Sequence, residues 1–311
     1  MYNVVYCFDK NYQQHFAASL QSLVKNFSKD PALLCVHIVT DIASDELTKF
    51  IGDFSDRHKI DARIHQLNSA QMSFIEKVPA KFRKLKGYLN ISAYFRLLIP
   101  LLLGEDVERA VYVESDTILV SDISELYSID LGGKAIGAVL DVNNNEASKQ
   151  HGLNAYYNSG LLVMCIRELR MKDFSNRTMD YISSASSQIM MADQCAINIV
   201  MKNDICSIPE KWNRYVSNSK FSIAHAEDRI NGAALIHFIT ENKPWHDWFA
   251  NDLGELYWDN LRASQWPNPV SNKPVTVNEH ILMARKLKKQ EKYIESISMY
   301  ETIVTHLMKK K

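Results

Sequence analysis

The sequence predicts an α/β protein: a sheet flanked by helices, with a helical appendage at its C-terminal end. Three observations carry that expectation. Short β-branched runs alternate with helical spacings from residue 3 to residue 67, and this β-α-β-α-β order implies parallel strands with helices on both faces. The 311 residues are 46% hydrophobic and 23% charged, enough to bury one large core. Proline density from 266 to 274 then interrupts the pattern before it turns purely helical. The expected boundaries are 1–262 for the α/β domain, 263–277 for a linker and 278–311 for a helical hairpin.

Residues 3–8 form the first strand, ending at Asp9. Asn11–Phe27 sets Phe16, Leu20, Leu23, Val24 and Phe27 at helical spacing. Leu33–Thr40 is the second strand. Ser44 caps the next helix, and Asp45 and Glu46 suit its N-terminal dipole. Ala62–Leu67 is the third strand. Residues 68–88 read as irregular, with Pro79 and a basic cluster (Lys81, Arg83, Lys84, Lys86) that fits either a solvated loop or a phosphate-facing lid. Leu89–Leu103 reads as an apolar helix with one charge, Arg96, which needs an ion-pair partner or an anionic ligand.

Arg109–Val120 is read as a strand, followed by a short helix from Ser121-Asp122 and a strand Ala135–Leu140. Asn143–Asn154 is polar and reads as a flexible loop. Tyr157-Asn158-Ser159-Gly160 leads into a strand, Leu161–Ile166. Arg167–Ser187 and Met191–Met201 read as helices, Ile205–Ile208 and Ala233–Ile239 as strands. Beyond the linker, Asn278–Lys311 reads as two amphipathic helices hinged near Lys289-Gln290, shaped like one tetratricopeptide-type repeat. A single such repeat does not bury its own apolar face. It therefore docks on the α/β domain, on another copy or on further chain.

Lys+Arg and Asp+Glu are 36 each, so no net charge argues for nucleic acid or an acidic membrane. No apolar run approaches the ~18 residues that span a bilayer, and Tyr2–Phe8 is too short for a signal peptide. The odd number of cysteines, five, without a C-x-x-C pair, fits buried thiols in a reducing compartment. A cytosolic protein is expected, with peripheral association at the inner face of a membrane compatible with it.

Within 109–120 two carboxylates, Glu114 and Asp116, interrupt the apolar run. Residues i and i+2 of an extended chain face the same side. Two such acids repel unless a cation lies between them, and a hard divalent ion meets that need. A surface turn is the other reading of the same letters. His237, inside Ala-Leu-Ile-His-Phe-Ile, is by itself either a hydrogen-bonded core histidine or a ligand.

Five features follow one another along the chain: Asp9 and Asn11 after the first strand, Glu114-x-Asp116, Asn158-Ser159-Gly160, Asp193-Gln194, and His237 followed by Lys243-Pro-Trp-His. In this order residues 1 to about 250 resemble the family 8 glycosyltransferases, retaining enzymes of the GT-A fold that include bacterial lipooligosaccharide α-galactosyl- and α-glucosyltransferases and glycogenin. The resemblance implies a mixed, Rossmann-like sheet and a metal ion, Mn²⁺ or Mg²⁺, held by Glu114, Asp116 and His237 against the diphosphate of a UDP-sugar. It implies that Lys243 touches the diphosphate, that Cys7, Asp9, Asn11 and Ser115 help to hold the nucleotide, and that Arg96, Asn158, Asp193 and Gln194 surround the donor sugar. The family's first acid is commonly Asp, so Glu114 implies shifted metal geometry. Retention follows either from double displacement through Asp193 or from front-face attack by the acceptor hydroxyl, the favoured route.

The expected reaction moves galactose or glucose from UDP-galactose or UDP-glucose to a hydroxyl of a glycan, glycolipid or glycoprotein. Its acceptor pocket is expected in the loops 68–88, 143–155 and 215–230. Three rivals predict other behaviour. A nicotinamide-dependent oxidoreductase lacks support because no G-x-G-x-x-G follows the first strand. A non-catalytic nucleotide- or glycan-binding protein would bind UDP without turnover. An assembly protein would act through the helical tail as a homo-oligomer or by docking a partner.

Overall fold

The computed structural model describes residues 1–83, 91–184, 191–216 and 232–308. The larger sheet contains β1 (Tyr2–Phe8), β2 (Leu34–Thr40), β3 (Asp61–Gln66), β4 (Arg109–Val113), β6 (Ile136–Leu140), β7 (Tyr157–Cys165) and β8 (Ile205–Ser207). Their order is β3-β2-β1-β4-β7-β6-β8. β1 to β4 are parallel where they pair, whereas β7 runs antiparallel to both β4 and β6, so the sheet is mixed. A smaller sheet has the order β5 (Thr117–Leu119), β10 (Leu235–Phe238), β9 (Arg214–Val216).

The period-two side-chain alternation of strands divides the core. Val4, Tyr6, Phe8, Val36, Ile38, Val111 and Val113 pack on the face covered by α1 (Gln13–Asn26) and α2 (Asp45–His58). Val5, Cys7, Val39, Tyr112 and Leu162 pack on the other face, which α8 (Ala192–Val200) helps to cover. Ser44 caps α2 as expected, its hydroxyl accepting from the Leu47 amide at 3.1 Å.

Several elements differ from expectation. Residues 68–83 hold a helix, α3 (Ser69–Ile75), opened by a reciprocal Asn68–Gln71 capping box. Arg83 donates to the carbonyls of Val78 and Glu76, and Lys84 and Lys86 lie outside the described residues. The expected helix 89–103 is a 3-10 stretch over Ile91–Leu98 that becomes α4 (Ile99–Leu102). Pro100 explains the break: without an N–H, and with its ring against the carbonyl four residues back, it cannot extend an α-helix from before. Residues 109–120 are two strands in two sheets. Asn143–Asn154 contains α5 (Asn145–Gln150). The helix expected over 167–187 divides into α6 (Ile166–Met171) and α7 (Phe174–Ser184), where Asp173 adopts φ 50°. Asn158-Ser159-Gly160 lies within β7 rather than before it.

After α9 (Gly254–Ser264) the chain folds back on the α/β body. Trp266 packs edge-on against Phe50, and the Val270 backbone exchanges two hydrogen bonds with the Gln14 amide, at 2.7 and 3.0 Å. α10 (Val277–Lys289) opens on a Thr276–Glu279 capping box and packs on α11 (Tyr293–Met308). Ser296 Oγ donates to the Ala284 carbonyl, and Lys286 ties α10 to the Asp247 carbonyl. No described helix is long and apolar enough to cross a membrane.

His37 on β2 is buried and accepts at Nδ1 from His65 Nε2, 3.0 Å away, while its Nε2 lies 3.1 Å from the Asn3 side-chain oxygen. Protonating His37 would set one N–H against another. Burial first, and the neighbouring His65 second, lower its pKa to about 4. The unfolded chain therefore binds more protons between pH 6.5 and 4, and stability falls as pH drops through that window. Urea unfolding midpoints at pH 7 and 5 should show the loss, and His37→Gln should shrink it.

Candidate active site

The site forms where the two sheets meet. β4 ends at Val113, and Glu114 still donates its backbone N–H to the Gly160 carbonyl of β7 (3.0 Å). The chain then turns, with Thr117 Oγ1 donating to the Glu114 carbonyl at 2.7 Å, and β5 joins the smaller sheet. There Thr117 stands opposite His237, and the Phe238 N–H donates to the Asp116 carbonyl at 3.0 Å. This register brings an imidazole to two acids more than a hundred residues earlier in the chain.

One ligand atom from each of Glu114, Asp116 and His237 lies within 4.8 Å of the others. His237 Nε2 is 3.1 Å from Glu114 Oε2 and 3.4 Å from Asp116 Oδ1. Its Nδ1–H donates to Asn213 Oδ1 at 2.8 Å, which leaves Nε2 to face the carboxylates. Burial works against a charged imidazole, but Asp116 and Glu114 prevail and push its pKa up to about 9. Asp116 Oδ1 is buried without hydrogen-bond geometry to any partner. Two carboxylates and an imidazole nitrogen at this separation are a donor set that fits a divalent cation, which would take the place of the proton on Nε2.

Cationic side chains flank the acids. Lys243 Nζ donates to Asp116 Oδ2 (2.7 Å) and to the Phe238 carbonyl. Against the cost of burial, Lys243 and His237 lower the Asp116 pKa. Arg96 is buried, stacks over the Tyr112 ring at 4.6 Å and donates to Glu114 Oε1 (2.7 Å) and to the Ser159 carbonyl (2.7 Å). Its Nε also lies 3.2 Å from Asp193 Oδ2. Glu114 thus divides its oxygens, one toward Arg96 and one toward His237. Its pKa is lowered despite burial, chiefly by Arg96. Asp193 answers differently: burial outweighs Arg96 and raises its pKa to about 6.

Gln194 is fixed at three points. Its oxygen accepts from Asn158 Nδ2 and the Ser159 amide, each at 3.1 Å, and its nitrogen donates to Asp141 Oδ2 at 3.0 Å. Asn158 Oδ1 in turn accepts from the Gly160 amide (2.7 Å) and from Asn213 Nδ2 (2.6 Å). A Cβ on Gly160 would fall 2.5 Å from His237 Cε1 and 2.7 Å from Glu114 Oε2, so only glycine leaves room for this grouping.

These residues surround a cavity of about 180 Å³. Of the twelve expected site residues, Cys7, Arg96, Glu114, Ser115, Asp116, Asn158, Asp193, Gln194, His237 and Lys243 line it. Asp9 and Asn11 do not. The Asp9 carboxylate accepts from the Asn11 amide at 2.8 Å, capping the turn before α1. Asn11 instead lines a second cavity of about 560 Å³, which shares Tyr12 and Lys243 with the first. Asn213 and Asp141, which position His237 and Gln194, were not expected. Asp141 follows the C-terminal end of β6, the sheet edge where α/β proteins bind ligands. Nothing local marks Asn213. Of the three loops expected to form an acceptor pocket, residues 84–88 and 217–230 lie outside the described residues.

Known proteins resemble this chain in sequence and in fold. Over 310 residues the chain is 23% identical to lipopolysaccharide 1,2-glucosyltransferase of Escherichia coli, covering 95% of this chain and 88% of that protein. It is 23% identical to general stress protein A of Bacillus subtilis, covering 87% of this chain and 96% of the other. Its fold matches the galactosyltransferase LgtC, solved with donor and acceptor sugar analogues, at a TM-score of 0.71 and 18% identity, over 84% of this chain and 95% of that one. The family profile described as Glycosyl transferase family 8 matches residues 3–249, and the chain belongs to that family.

Proposed function

We propose that this protein is a divalent-metal-dependent, retaining hexosyltransferase. In this reading it takes galactose or glucose from a UDP-sugar and delivers it to a hydroxyl of a glycan or lipid-linked glycan of the lipopolysaccharide type. The observation that carries it is the Glu114–Asp116–His237 cluster, with Lys243 on one side and the Arg96–Asp193–Gln194 group on the other. Glu114, Asp116 and His237 would hold Mn²⁺ or Mg²⁺, which supplies neutralisation of a departing diphosphate without proton transfer. Lys243 adds a positive charge beside Asp116, suited to a phosphate oxygen. Arg96 keeps Glu114 and Asp193 in place, and Asp141, Asn158 and the Ser159 amide lock the Gln194 carboxamide at the cavity wall.

Asp193, tied to Arg96, provides negative potential beside the sugar position, which favours an oxocarbenium-like transition state. Front-face attack by the acceptor hydroxyl is the route we favour over a covalent Asp193 intermediate. A cytoplasmic location fits this reading, with the acceptor met at the inner face of a membrane.

The test is turnover of UDP-galactose and UDP-glucose, followed as UDP release, before and after EDTA. Activity should fall at least about tenfold and return with added Mn²⁺ or Mg²⁺. Undiminished turnover in EDTA would remove the metal from the proposal. UDP-induced thermal stabilisation without any turnover would favour a nucleotide-binding role.

A further inference from the structure

Helix α11 has two apolar faces and covers only one of them. Ser296 and Ile303 are buried where α11 packs on α10. On the other side, Tyr293, Ile294, Ile297, Tyr300, Val304, Leu307 and Met308 leave between 42% and 82% of their surface exposed. A helix that is apolar around most of its circumference is ordinarily enclosed.

The exposed residues are ordered. Positions 293, 297, 300, 304 and 307 advance by alternate steps of four and three, the spacing of a coiled-coil seam over two heptads. Read as heptads, β-branched Ile297 and Val304 take the first core position, and Tyr300 and Leu307 the second. β-Branched residues at the first position with leucine at the second favour two strands over three or four.

We propose that this seam packs against the same seam of a second copy of the chain, giving a twofold-symmetric dimer through α11. The exposed surface is of the right order: the five seam residues are each 42–58% exposed, with Ile294 and Met308 beside them at 82% and 73%, and one partner brings about 800 Å² to a stable interface. A self-complementary seam also closes on itself in a pair, leaving nothing to propagate. The charges on the helix disfavour a lipid surface as the occupant. Interfacial helices line their apolar stripe with Lys and Arg, whereas between Lys292 before it and Lys309 after it the charged residues of α11 are Glu295 and Glu301. The seam lies outside the residues of the candidate active site, so the proposal is independent of the donor sugar.

Sedimentation velocity of the full chain at micromolar loading should give twice the chain mass. Ile297→Lys with Val304→Lys should make it monomeric, while UDP-sugar turnover stays unchanged. Ile297→Ala with Val304→Ala, which keeps helix propensity, should weaken association on the order of a hundredfold at unchanged circular dichroism. Mixing the lysine variant with Ile297→Glu, Val304→Glu should restore a heterodimer, which damage to the fold would not do. A monomeric full chain at high micromolar loading, or a dimer that survives both double variants, overturns the proposal. So does flotation of a monomer on phosphatidylethanolamine–phosphatidylglycerol vesicles, which would assign the seam to lipid.

Discussion

Arg96→Ala should remove sugar transfer and destabilise the protein in a single step. Arg96 is 4% exposed and stands between the half-buried Glu114 at 2.7 Å and the buried Asp193 at 3.2 Å. Alanine would leave Asp193 without its cation, Glu114 with His237 alone, and the Ser159 carbonyl without the Arg96 donor. Breaking a buried ion pair from one side costs about 3–5 kcal/mol. Turnover should fall at least about 100-fold, since the groups that meet developing charge would lose their fixed positions. Arg96→Lys should recover little, because an ammonium cannot reproduce three directed N–H contacts. Urea unfolding followed by circular dichroism, alongside UDP release, measures both effects. Wild-type stability in the alanine variant would mean that Arg96 does not hold the acids.

Gly160→Ala should separate the two effects. Its added methyl would meet His237 Cε1 at 2.5 Å, Glu114 Oε2 at 2.7 Å and Asn158 Oδ1 at 2.9 Å, all of them side-chain atoms of the site. β7 can accept alanine, so the sheet should survive while the imidazole and the first acid are pushed apart. A displacement near 1 Å at a reacting centre costs about 100-fold in rate. Titration with Mn²⁺ by calorimetry should show weakened binding in the same variant. Unchanged affinity and turnover would show that the side chains yield without consequence.

Much of the site was legible in the sequence because its chemistry sits at strand ends. Glu114-x-Asp116 interrupts an apolar run, and His237 interrupts another, so each stands out against a buried background. That Arg96 needs an ion-pair partner or an anionic ligand was also legible, since an apolar segment does not carry a lone charge at no cost. Asn213 could not be read, because its role depends on β9 lying parallel to β10 (Ile236 beside Arg214, His237 beside Tyr215), a pairing with no local signature. Two misreadings had signals in plain sight: the Asn68–Gln71 cap of α3 and the helix-blocking Pro100. The division of 109–120 between two sheets had none, since Val111 and Ile118 present the same apolar character to a reader.

The two sheets share one length of chain at residues 114–116. Glu114 is anchored to one plate by its hydrogen bond to Gly160, and Asp116, through the Phe238 amide, and the imidazole are anchored to the other. Spacing among the three side chains is therefore a gauge of the angle between the plates. An ion gripped by all three would act as a rivet through that joint, and drawing it out would slacken the whole seam between the sheets.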